Sequence, residues 1–113
     1  MRILICEPGK RPEIADIPHS LSAMQEIVGG SIQAIYPWDD PVASVCDDEA
    51  LFKETPWNRY ICEGVAIEGT FFVCGLSEDD FDDLPEDMVE KHERLFYKPQ
   101  LLIPTKRGRC SFC

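Results

Sequence analysis

The sequence has no long hydrophobic run. Its opening residues, MRILICEPGK, reach a charged turn after a few apolar positions, far fewer than the roughly 20 needed to span a membrane and too few for a secretory core. A cytoplasmic protein is expected. Histidine is scarce, with 2 in 113 residues, and neither is placed as an activated base. His19 lies between a proline and a helix cap, and His92 falls on the apolar stripe of a helix, where packing is the usual role. This speaks against a cysteine–histidine hydrolase. A phosphate loop is also missing, because Glu7-Pro8-Gly9-Lys10 lacks the helix N-terminus and successive amides that cradle phosphate. Positive charge is short, with 11 Lys and Arg against 21 Asp and Glu and a formal net charge of −10. A nucleic-acid binder needs the opposite balance, so nucleic acid is not an expected partner.

Cysteine is present, but not in the patterns that would give it chemistry. Cys110 and Cys113 have the spacing of a zinc knuckle. Structural zinc sites usually carry two close pairs, and here Cys62 or Cys74 would have to complete the set. The same four terminal residues fit a prenylation box only formally, since Ser111 is not aliphatic. No metal and no cofactor are expected. Cys6, Cys46 and Cys74 sit in strand-like apolar runs and read as buried free thiols rather than a disulfide framework.

An apolar fraction of 44% in a chain of this length suits one domain with one modest core. Its organisation is clearest between Ile27 and Pro37. Before Gly29-Gly30 the apolar residues Leu21, Met24, Ile27 and Val28 follow helical spacing, and after it Ile32, Ala34 and Tyr36 alternate as in a half-buried strand. A helix over about 21–28, capped by Ser20, therefore ends at a glycine pair and leads into a strand over 31–36. Strands are expected over 2–6 and 13–17, joined by a Pro-Gly turn of type II. A second hairpin is expected from the strand 31–36 to a strand over 42–46, across the turn cluster 37–41. Residues 47–58 read as a loop with one helical turn near 50–53. Further strands fall at 59–62 and 66–75, the second continuous enough to be a central strand covered on both faces. A last helix begins near Pro85 with Met88, Val89, His92, Leu95 and Phe96 on one stripe, and Pro99 stops it. The expected fold class is α+β: a small mixed, mainly antiparallel sheet built from hairpins with two helices packed on it. Residues 1–98 form the domain and 99–113 a tail with a short apolar anchor at 101–103.

The acidic residues gather in Glu78, Asp79, Asp80, Asp82 and Asp83, then Glu86, Asp87, Glu90 and Glu93, while positive charge returns at Lys98, Lys106, Arg107 and Arg109. A solvated face is the plain reading of such a run, and orientation on a charged partner the sharper one. The candidate binding residues lie beside turns: Glu7, Lys10 and Arg11 in the first hairpin, Tyr36 and Trp38 after the middle strand, and Trp57, Asn58 and Arg59. Gathered at one sheet edge, they would suit a small planar anionic ligand or a protein hot spot. Alternatively, Asn58 and Arg59 brace the loop and the tryptophans cap the core.

In combination, Glu7-Pro8-Gly9-Lys10, Val28-Gly29-Gly30 with Ile32, Ala34 and Tyr36, Asn58-Arg59, and Gly69-Thr70-Phe71-Phe72 with Gly75 resemble an uncharacterised small domain family of bacterial phages and mobile genetic elements, mostly of Gram-positive hosts. The likeness spans about residues 1–96. It implies a small single-domain cytoplasmic accessory protein and carries over no catalytic residue or cofactor. The leading expectation is a non-enzymatic protein that binds a host protein or sequesters a small signalling molecule, in counter-defence. An acidic DNA mimic that blocks a nuclease or restriction enzyme is one alternative, and a small enzyme acting on a nucleotide or peptide is another. An exposed sheet edge with Trp38 or Trp57 nearby would also suit a homodimer.

Overall fold

A computed structural model describes residues 1–49, 56–62, 65–78, 80–97, 101–105 and 108–112. The expected helical turn near 50–53, and Pro99 as a helix stop, lie outside the described residues.

The first hairpin pairs β1 (Arg2–Cys6) with β2 (Glu13–Asp16). In the turn between them Gly9 takes a φ of +73°, and the Lys10 N–H donates to the Glu7 carbonyl at 3.1 Å, the conformation that a Pro-Gly pair favours. Helix α1 (Leu21–Val28) begins where Ser20 Oγ accepts from the Ala23 N–H at 3.2 Å. It ends at Gly29, whose φ of +84° closes the last turn onto the Gln25 carbonyl. There follow β3 (Ile32–Ile35), β4 (Val42–Asp47), β5 (Trp57–Cys62), β6 (Val65–Glu68), β7 (Phe71–Leu76), β8 (Phe81–Asp82) and α2 (Glu86–Phe96).

The main sheet runs β2-β1-β7-β4-β3, with β8 appended to β7, and every ladder among the described residues is antiparallel. β7 is the central strand. Phe71 and Val73 on one face join a core with Leu4, Val42, Leu84, Val89 and Phe96, the side covered by α2 and the β5–β6 ribbon. Phe72 and Cys74 on the other face join Ile3, Val45, Met24 and Val28, the side covered by α1. A strand buried on both faces has no polar side to alternate with, which explains its continuous apolar run. The protein is therefore a small α+β fold in which two helices cover a mainly antiparallel sheet.

Two expectations need correction. Residues 66–75 are two strands in different sheets. Gly69, at a φ of +77°, breaks the run, and β6 turns away to pair with β5. In α2, Val89, His92 and Phe96 are buried and Met88 partly so, but Leu95 is 53% exposed. At about 100° per residue Leu95 falls at the margin of the stripe. Beyond α2 the tail folds on itself, with β9 (Leu101–Thr105) and β10 (Gly108–Phe112) pairing in a two-stranded sheet of their own.

Gly75 holds the start of α2 against the sheet. A Cβ there would overlap the Asp83 carbonyl oxygen and come within 3.2 Å of Pro85 Cδ. The Leu84 N–H donates to the Arg2 carbonyl at 2.8 Å, and Arg2 Nε donates back to the Leu84 carbonyl at 2.8 Å. β1 and the entry to α2 are thereby joined side by side.

Candidate functional site

The eight residues singled out from the sequence do not gather at one edge. Seven of them divide among three places, and Trp57 has its ring contact with Tyr60 on its own strand.

Glu7, Lys10, Asn58 and Arg59 meet at one end of the sheet, below the C-terminus of α2. Arg59 is fully buried. Its Nε donates to Asn58 Oδ1 at 2.7 Å, its Nη1 to the Phe96 carbonyl, and its Nη2 to the carbonyls of Glu7 at 3.2 Å and Lys10 at 2.5 Å. Asn58 Nδ2 in turn donates to the carbonyls of Cys6 at 2.9 Å and Gly69 at 2.7 Å. The two side chains thus link the first turn, the start of β5, the break after β6 and the end of α2. A buried cation is tolerated because oxygen atoms replace its water. On the surface nearby, Lys10 Nζ pairs with Glu7 at 2.9 Å, a bond that raises the lysine pKa, and the Arg11 guanidinium sits 4.6 Å above the exposed Tyr97 ring.

Trp38 lies elsewhere, over α2. Its ring meets His92 edge-on at 4.5 Å and tilts against Phe96 at 5.9 Å. His92 is fully buried. Asp40 Oδ2 stands 3.5 Å from His92 Nε2 and accepts from Lys91 Nζ at 2.7 Å. Burial lowers the His92 pKa, a shift that Asp40 opposes, and the Lys91 bond lowers that of Asp40. Trp57 packs edge-on against Tyr60 at 5.3 Å.

Tyr36 occupies the third place, a cleft of about 440 Å³ with Leu76, Ser77, Glu78, Asp80 and Phe81. A second groove of about 450 Å³ runs between α2 and the first hairpin, lined by Arg2, Ile14, Glu86, Asp87, Val89, Glu90 and Glu93. Ile14, on edge strand β2, is 55% exposed there. The sequence shows the α2 carboxylates as a charge run, but nothing local reveals that an isoleucine far upstream faces them. The pairing of Asp40 with His92 has no local signature either.

Burial pushes the Cys6 and Cys74 thiols up to about 12 and raises that of Cys46, so these sulfurs are poor nucleophiles at neutral pH. Among the described residues no group of acidic, histidine or cysteine side chains is arranged to hold a metal ion, and no helix is long and apolar enough to cross a membrane. The α2 groove is lined chiefly by carboxylates, and the Tyr36 cleft combines two carboxylates with aromatic and aliphatic side chains.

Residues 1–97 match the model of a family described as a domain of unknown function, DUF3846. No curated protein and no solved structure matches the chain.

Proposed function

The chain belongs to the DUF3846 family, and from that premise we propose that it is a non-enzymatic, cytoplasmic accessory protein of a phage or mobile element that binds a basic host protein. The supporting observation is the groove between α2 and β2. Glu86, Asp87, Glu90 and Glu93 flank it, Val89 and the exposed Ile14 give it an apolar component, and Arg2 is its basic member. A protein partner with basic side chains around an aliphatic or aromatic residue would satisfy both components. A net charge of −10 would speed encounter with such a partner. DNA mimicry draws on the same carboxylates, but Ile14 and Val89 have no counterpart in a phosphate backbone, and Lys91 and Arg94 interrupt the acidic face of α2. An anionic ligand, the other sequence expectation, is poorly served by either acidic depression.

The test is affinity capture from host lysate with the wild-type chain and with a variant carrying Glu86→Gln, Asp87→Asn, Glu90→Gln and Glu93→Gln. A basic protein retained by the first and lost by the second supports the reading. Capture unchanged by neutralisation, or release of a small molecule alone, counts against it.

A further inference from the structure

The cleft beside Tyr36 lies on other elements than the α2 groove and has a different chemistry. Tyr36 follows β3, Leu76 ends β7, and Phe81 opens β8, so the cleft forms where β3 and β7, the two strands that flank β4, both end beside the start of β8. The turn from β7 to β8 is fastened: the Ser77 N–H and Oγ donate to the Asp80 carbonyl at 2.9 and 3.2 Å, and the Phe81 N–H donates to Asp80 Oδ1 at 2.7 Å. Phe81 packs against the α1-side core, whereas Tyr36 is 60% exposed. Two aromatic residues and two carboxylates therefore line one concavity.

Each part selects for positive charge. Aromatic faces attract cations through their quadrupole, and carboxylates add a direct Coulomb attraction. One nitrogen already stands against this site, since His19 Nε2 lies 3.2 Å from Asp80 Oδ2. Glu78 makes no hydrogen bond or ion pair with any described residue. An anion would meet repulsion, and a wholly apolar ligand would strip water from the carboxylates without replacing it. The volume of about 440 Å³ falls within the range of roughly 300–1,000 Å³ seen for small-molecule sites. We propose that the Tyr36–Phe81 cleft binds an organic cation, an alkylammonium or guanidinium group whose carbon stem lies along the rings.

This site does not depend on the α2 groove, and its test is separate. The full chain is titrated with spermidine, N-acetylarginine amide and tetramethylammonium while the ring protons of Tyr36 and Phe81 are followed by NMR. Uncharged 3,3-dimethylbutanol serves as the neutral control. The expected result is saturable shifts with the cations, weakened at least about fivefold by Tyr36→Ala and by Glu78→Gln, and unchanged in the α2-neutralised variant. Tighter binding of spermidine assigns the cleft to a free polyamine, and tighter binding of the arginine amide assigns it to a basic side chain. Tyr36 is exposed, so its removal leaves the core intact, and Tyr36→Phe should retain binding. Shifts that do not saturate, that the neutral alcohol matches, or that survive Tyr36→Ala overturn the proposal.

Discussion

Arg59, on β5, donates from its Nη1 to the main-chain carbonyl of Phe96, the last residue of α2. A helix C-terminus presents unsatisfied carbonyls and the negative end of its dipole, and a cation suits it on both counts. Phe96 also packs its ring against Trp38 and Phe71. One helix end thereby ties the Arg59 cluster to the turn that carries Trp38 and Asp40.

Removing the guanidinium should damage the fold. Arg59→Ala leaves the Glu7, Lys10 and Phe96 carbonyls and the Asn58 amide oxygen short of a donor in a buried site, and a loss of about 1–3 kcal/mol for each acceptor that water cannot reach is expected. Arg59→Lys keeps the charge without the planar fork and should recover only part of it. Urea unfolding of both variants checks this order, and equal stability of wild type and Arg59→Ala would contradict it.

Two glycines separate space from backbone strain. Gly75→Ala drives a methyl group into the Asp83 carbonyl and should destabilise by about 1–3 kcal/mol or more, since the backbone there must shift. Gly9→Ala meets no atom within 4 Å but forces a side chain onto a φ of +73°. It should lose only about 1–2 kcal/mol. Denaturant midpoints for the pair test whether crowding at Gly75 is the larger effect.

Stability should fall on mild acidification. His92 has a folded-state pKa below the ordinary 6.5 because of burial, so the unfolded chain takes up a proton that the folded chain resists. The stabilisation is complete above that value and declines as pH falls below it. Asp40 acts in the same direction, but lower down, because Lys91 holds its pKa below 3.8. Midpoints measured between pH 7.5 and pH 5, roughly spanning the histidine range, should decline in the wild type and flatten in His92→Gln. A decline of the same size in both would rule out His92 as its source.

Buried thiols should be chemically silent. Cys6 and Cys74, with pKa values pushed to about 12 by burial, should resist iodoacetamide in the folded protein and react once urea unfolds it. Peptide mapping after a short labelling pulse distinguishes the two states. Rapid native alkylation at either position would contradict the burial described.

The parts of the fold that were legible in the sequence are those announced by a single local residue. Gly9, Ser20 and Gly29 mark a turn, a helix start and a helix end because each supplies a backbone conformation or a donor–acceptor match that few residues can. Gly69 carried the same signal, but the apolar residues around it continue across the break and hide a change of sheet. The order β2-β1-β7-β4-β3 depends on pairings between distant segments, which period alone does not encode. For the candidate site the limit was direction. Arg59 and Asn58 stood out as polar residues at a turn, yet they face inward, whereas the surface depressions combine Ile14 with α2 and Tyr36 with Phe81. Those combinations exist only once the strands are ordered.

The central claim is that the α2–β2 groove recognises a basic protein. Its most direct test is calorimetric titration of the captured partner into the wild-type chain and into the variant with Glu86, Asp87, Glu90 and Glu93 neutralised. The account predicts binding that weakens with salt and falls at least about tenfold in the variant. Equal affinity for the two chains would contradict it.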